Sequence, residues 1–290
     1  MMKEYFRVSL DKSGDYWSII PEVEEVELKT NIDFTNKIDI KNLTIDKHHE
    51  KKHWEQVFDC LNLEALTLHD PSDEQVQAIR KLTKLKRLRV IFLRTNDIKF
   101  IGDLLNLEEL ILEYVSGFSD LTPLLKLPKL KSIYFENLRK VSNFQDLSGI
   151  KSLRYLRISG TLETDQPIEN FEFLNGLLNL EVFSLSWIKN KTSFPAFLPM
   201  LHLKNLKKIE IGRDRFKTNE YAFLQIAFPN IEGCSWDLFW EHNDNYEFLG
   251  KRAGFVKKNN PNAKVRCDEF VKKFEEMKKE SAKLIKSYCG

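Results

Sequence analysis

A triplet of apolar residues spaced as L-x-x-L-x-L returns along most of the chain. It runs through Leu63-Leu66-Leu68, Leu85-Leu88-Val90, Leu107-Leu110-Leu112, Leu130-Ile133-Phe135, Leu153-Leu156-Ile158, Leu180-Phe183-Leu185 and Leu206-Ile209-Ile211, and closes on a degenerate Ile231-Cys234-Trp236. Successive copies are offset by 22, 22, 23, 23, 27, 26 and 25 residues. Two weaker copies, Val23-Val26-Leu28 and Ile40-Leu43-Ile45, precede them with a separation of only 17 residues and read as irregular N-terminal turns. In each copy the last two apolar positions alternate along a short strand and point inward, while the first turns in from the preceding corner. One coil cannot bury such an edge alone. Stacked coils fuse their edges into one core, and their strands pair as a parallel sheet.

Between the strands the pattern predicts helical turns at 168–177, at 196–203 and, as a genuine short helix, at 219–228 with Asn219 as N-cap. At the N-terminus, Phe6, Val8 and Leu10 alternate, Lys12-Ser13-Gly14-Asp15 is turn-like, and Trp17 and Ile19 resume the alternation, so residues 5–19 read as a hairpin. Toward the C-terminus, Tyr246 to Lys258 reads as a helix broken by Gly250 and Gly254, and Ala263 to Cys267 as a final short strand. Phe270, Phe274, Met277, Ser281, Leu284 and Tyr288 then mark one stripe of an amphipathic helix, expected to cap the last coil.

Residues 61–236 resemble the leucine-rich-repeat family. The stretches SDLTPLLKLPKLKSIYF (119–135) and NFQDLSGIKSLRYL (143–156) resemble its short bacterial or intracellular type. The resemblance implies an α/β solenoid with a curved parallel sheet on the concave side and short helices and turns on the convex side. It also implies that the concave sheet is the usual binding face. The asparagine found after the strand in many members is absent: Pro71, Leu93, Val115, Leu138, Thr161, Ile188 and Asp214 stand there instead. That departure argues against a typical extracellular adhesin. The expected layout is a hairpin cap over 1–22, irregular repeats over 23–60, leucine-rich repeats over 61–240 and a C-terminal cap over 241–290.

Composition narrows the function classes. Hydrophobic residues make up 42% and charged residues 30% of 290, a globular balance. Charges interrupt the first residues, so no signal peptide is expected, and no apolar run approaches the ~20 residues of a spanning helix. Cys60, Cys234, Cys267 and Cys289 are scattered without disulfide or zinc spacing, which favours a reducing, cytoplasmic setting. Net charge is +2, but residues 251–290 hold twelve Lys/Arg against five Asp/Glu. This basic end raises a nucleic-acid reading, which the intermixed acids disfavour.

The outward strand positions supply the candidate protein-binding residues. Arg87 and Arg89 form a basic row beside the acidic Glu109 and Glu113, where surface salt bridges are the plain expectation. Tyr134, Glu136, Tyr155, Arg157 and Trp187 form the more distinctive centre, because aromatic and arginine side chains are enriched at binding hot spots. Trp236 is expected in the core. Phe239 and Trp240 are placed on a loop beneath the cap.

Catalysis finds little support. Residues 49–53 read HEKKH, a literal match to the zinc motif HExxH, yet no second signature supplies a third ligand. There is no phosphate-binding glycine loop, dinucleotide fingerprint or GxSxG elbow. The expectation is a non-catalytic, monomeric, bacterial adaptor, inhibitor or immunity-type protein without cofactor or metal, acting on a protein partner and not on a membrane. Nucleic-acid binding through 251–290 and a zinc hydrolase at 49–53 are the alternatives.

Overall fold

The computed structural model describes residues 6–7, 20–21, 35–46 and 54–289. Val23-Val26-Leu28, the HEKKH segment and most of the expected N-terminal hairpin lie outside the described residues. Two short strands within that hairpin region, β1 (Phe6–Arg7) and β2 (Ile20–Pro21), pair antiparallel.

The repeat triplets fold as the sequence pattern requires. Eight strands, β3 (Asn42–Asp46), β4 (Ala65–His69), β5 (Arg87–Ile91), β6 (Glu109–Glu113), β7 (Ser132–Glu136), β8 (Tyr155–Ser159), β10 (Val182–Ser186) and β12 (Lys208–Ile211), form one parallel sheet in sequence order. Registers align motif on motif: Leu43, Leu66, Leu88, Leu110, Ile133, Leu156, Phe183 and Ile209 stand in one row. The Ile40-Leu43-Ile45 copy is therefore a regular coil, since β3 pairs with β4 along its whole length. The degenerate last copy is not a strand. Its backbone makes one bridge, Lys208 to Glu232, and Trp236 is only partly buried, with Nε1 donating to the Ile211 carbonyl at 3.1 Å.

The two longest coils use their extra residues for β9 (Gln166–Ile168) and β11 (Ile188–Asn190), a second small parallel sheet. Single 3-10 turns such as Thr122–Lys126, Gln145–Gly149, Glu172–Gly176 and Leu198–His202 form the convex side. Helix α1 (Asp73–Ala78) starts with a full capping box between Ser72 and Gln75. Helix α2 (Thr218–Ala227) has Lys217, not Asn219, at its N-cap. Asn219 is the second residue inside the helix, two past the cap position.

Several coils are tied to the one before by a polar ladder, at a different place from the missing post-strand asparagine. The residue just before the first apolar position donates to a main-chain carbonyl one coil back. Asn106 reaches Thr83 O at 2.8 Å, Ser152 reaches Leu130 O at 2.8 Å, Asn179 reaches Lys151 O at 2.9 Å and Asn205 reaches Leu178 O at 3.0 Å. The post-strand site itself goes to apolar side chains: Leu93, Val115, Leu138 and Ile188 are buried in the core.

The C-terminal region departs from the sequence reading. Residues 246–258 are not helical: β13 (Phe239–His242), β14 (Asn245–Phe248) and β15 (Phe255–Lys257) form an antiparallel sheet. Gly250 and Gly254 take φ of +121° and +88°, which reverses the chain where a helix would have continued. Residues 263–267 are not a strand but the start of helix α3 (Ala263–Cys289). A strand would put Ala263, Val265 and Cys267 on one face, whereas Ala263 is buried and Val265 exposed. The helical stripe simply extends backward from Phe270. Phe274 and Ser281 are buried and Phe270, Met277 and Leu284 pack on the core. Phe239 faces this helix too, with its ring centroid 5.9 Å from that of Phe270.

Candidate functional site

The outward strand positions do not form the open face that the sequence suggests. Glu109 is 3% exposed, Tyr134 4% and Tyr155 2%, and Arg89 and Glu113 are also buried. Arg89 Nε lies 2.5 Å from Glu113 Oε2, one coil across and two residues further along the strand, and Arg87 Nε lies 3.5 Å from Glu109 Oε1. The Arg89–Glu113 pair is buried and the Arg87–Glu109 pair is buried on its acidic side, so these are not the surface bridges expected and desolvation opposes their attraction. Burial pushes the Glu109 carboxyl up to about 8, against the pull of Arg87. Glu109 Oε2, the neighbouring Ser132 Oγ and Arg157 Nε are buried without a hydrogen-bond partner among the described residues.

Four of the nine candidates do come together. Tyr134, Glu136, Arg157 and Trp187 line one cavity of about 520 Å³ at the edge where the strands end. The Tyr134 hydroxyl donates to Glu136, and the Arg157 guanidinium sits 5.4 Å from the Tyr134 ring centre. Burial, and then the Glu136 charge, raise the Tyr134 hydroxyl well above its ordinary value, so it stays a donor. Arg157 also approaches Glu210 at 3.7 Å, and the Arg215 guanidinium lies 4.0 Å from the Trp187 ring centre. Arg87, Arg89, Glu109, Glu113 and Tyr155 lie outside this cavity. Sequence reasoning missed Tyr114, Arg139, Leu162 and Glu163, which complete its wall. Their signal is their place, one to four residues past a strand end, and Leu162 is 80% exposed.

Backbone geometry explains why the rim looks as it does. The residue just past five of the strands turns left-handed: Asp70, Phe92, Tyr114, Asn137 and Trp187 have φ of 45°, 57°, 54°, 54° and 50°. The turn lets the chain leave the sheet while its N–H still pairs with the next coil. Phe92 N reaches Glu113 O at 3.0 Å and Tyr114 N reaches Glu136 O at 2.9 Å. Aspartate and asparagine tolerate this region, but a bulky L-residue pays about 1–2 kcal/mol for it. Gly160 holds the equivalent place in its coil because a Cβ there would strike the Trp187 and Thr164 carbonyls.

Among the described residues no three His, Cys, Asp or Glu side chains gather as metal ligands, and no helix is long and apolar enough to cross a membrane. Cys60 and Cys234 are buried thiols, with Cys234 pushed up to about 12 by burial.

The repeat, the eight-stranded parallel sheet and the convex turns define a leucine-rich-repeat solenoid. No family model matches the chain and no curated protein resembles it significantly. Solved structures with partial likeness include an internalin (inlF) of Listeria monocytogenes, 18% identical, covering 66% of this chain and 60% of that one with a TM-score of 0.44. An internalin C2 (inlC2) of the same species is 24% identical over 55% of this chain and 67% of that one, with a TM-score of 0.42. The Toll–Spatzle complex of Drosophila is 18% identical over 61% of this chain and 27% of that one, with a TM-score of 0.43. This chain thus spans about three fifths of the first of these. The likenesses are too distant to carry function.

Proposed function

We propose that this chain is a non-catalytic scaffold that binds a protein partner on the concave side, at the strand-end rim and not across the middle of the sheet. The observation that carries this reading is the cavity of about 520 Å³ walled by Tyr134, Glu136, Arg157 and Trp187, with Leu162 exposed at its edge. Aromatic and arginine side chains already fixed by hydrogen bonds and ring contacts lose little freedom on binding, which is the usual makeup of an interface hot spot. Adaptor, inhibitor and immunity-type roles are finer versions of the same activity, and a cytoplasmic monomer is the form in which we expect it.

Affinity capture from cells that produce the protein tests the reading. The comparison is wild type against Leu162→Glu/Trp187→Asn, which alters the rim without opening the core. A stoichiometric protein recovered by wild type and lost by the variant supports the site. Equal recovery by both moves the interface elsewhere on the solenoid or its cap, and the rim reading fails.

A further inference from the structure

The rim carries two parallel rows with different chemistry. The first is the left-handed row, where Phe92, Tyr114 and Trp187 hold a conformation that bulky residues avoid. Asp70 and Asn137 fill the same register in other coils with residues suited to it. Strained backbone at chosen positions is a pointer to function. Phe92 is 50% exposed and its ring centroid stands 5.0 Å from that of Tyr114. The second row lies two residues further along each coil and reads Arg94, Ser116, Arg139, Leu162 and Lys189. Arg94 and Ser116 are bridged neighbours, which fixes the register of this row. Arg94, Arg139 and Lys189 are exposed and make no ion pair with a described residue, and the row holds no acid. An aromatic row beside an unpaired basic row is a complementary surface for apolar side chains flanked by carboxylates.

We propose that this double row takes an extended acidic segment of a protein partner. Its apolar side chains lie on Phe92 and Tyr114 and enter the cavity beside Trp187, and its carboxylates meet Arg94 and Arg139. The proposal rests on the pocket reading above and names the chemistry of the partner. Arg94 and Arg139 are two coils apart, about 9.6 Å at the usual strand spacing. An extended segment of polyproline-II type rises about 9.3 Å per three-residue turn. Carboxylates at i and i+3 therefore fall in step with the two arginines. A nucleic-acid strand fits less well. His69, Phe92 and Tyr114 meet edge-on or tilted, at 5.5 and 5.0 Å, so neighbouring rings do not offer parallel faces for successive bases. Glu136 and Glu163 also line the cavity, so the part of the segment that enters it is apolar and its carboxylates stay outside, toward Arg94 and the outer edge at Arg139.

Selection from a displayed library of random dodecapeptides on the full chain tests the idea, followed by fluorescence anisotropy on the enriched peptides. The expected result is enrichment of sequences with Asp or Glu at i and i+3 beside apolar residues. Their affinity should fall by about tenfold or more in Arg94→Glu/Arg139→Glu and at high salt. Both arginines are exposed and make no ion pair with a described residue, so that variant is expected to keep its fold, which a thermal melt checks. Enrichment of neutral or basic peptides, no enrichment, or unchanged affinity for the charge-reversed variant overturns the proposal. Tighter binding of single-stranded oligothymidylate than of the best peptide overturns it in favour of nucleic acid. Peptides lost by Leu162→Glu/Trp187→Asn but indifferent to the arginine reversal sink the acidic-segment proposal and leave the pocket reading standing. Indifference to both variants sinks both.

Discussion

Phe92 and Tyr114 occupy the same register on consecutive coils, both with left-handed backbone, and their ring centroids lie 5.0 Å apart with planes tilted by 41°. The ring contact and the backbone strain oppose each other. A half-exposed ring contributes roughly 1 kcal/mol by burial and about 0.5–1.5 kcal/mol by its aromatic neighbour. The left-handed turn takes back about 1–2 kcal/mol.

Phe92→Asn should accordingly leave stability within about 1 kcal/mol of wild type, because asparagine accepts the turn that phenylalanine resists. Phe135→Ala, which empties a fully buried site, should cost about 3–5 kcal/mol. Urea denaturation of both variants makes the comparison. A loss at Phe92→Asn as large as that at Phe135→Ala would show that the rim ring is structural.

Asn106→Ala removes the bond to Thr83 O and the acceptor for Lys129 Nζ, which lies 2.6 Å from Asn106 Oδ1. The turn is near solvent, so water replaces part of what is lost and the cost should be about 1 kcal/mol. Amide exchange should quicken in the turn it ties down, around Thr83. Unchanged exchange there would mean that the ladder does not hold the coils together.

Gln166 is the buried counterpart. Its Oε1 accepts from Leu138 N at 2.8 Å, and its Nε2 donates to Val141 O at 2.6 Å and Leu138 O at 3.2 Å. Gln166→Leu keeps the volume but strands these buried main-chain groups, at a cost of about 2–4 kcal/mol. A chemical-denaturation midpoint equal to wild type would contradict the clamp.

Glu220 gives the fold a pH dependence. Its carboxyl is buried under the coil that begins at Ala196, whose N–H donates to it at 2.9 Å, and burial raises its pKa to about 7. Because the folded value lies above the unfolded value near 4.5, the folded state holds the proton more tightly. The Glu220 contribution is therefore full below about pH 4.5 and declines as pH rises toward 7. Between pH 5 and pH 8 wild type should lose on the order of 1–3 kcal/mol, and Glu220→Gln should lose distinctly less. Glu109, raised to about 8, keeps some slope in the variant. Identical slopes for the two proteins would remove Glu220 as the cause.

The repeat register was legible because it is local and periodic. Each triplet carries its own strand, and equal spacing aligns the strands without knowledge of anything distant. The terminal cap was half legible. The stripe from Phe270 to Leu284 has a clear helical period, but the short apolar alternation at Ala263 to Cys267 fits strand and helix alike, and only continuity with α3 decides between them. The two glycines at 250 and 254 read as breaks in a helix, whereas their positive φ makes them reversals between strands.

For the candidate site, the sequence by itself determined which side chains leave each strand on the concave side, since alternation fixes direction. Only the tertiary structure decided which of them stay exposed. Burial depends on what neighbouring coils place over a residue, and that covers Arg89, Glu109 and Tyr155 while leaving Phe92, Arg139 and Leu162 at the rim. The left-handed turn that sets the rim is a backbone state. No residue type announces it when phenylalanine, tyrosine and tryptophan occupy places that asparagine would fill with less strain.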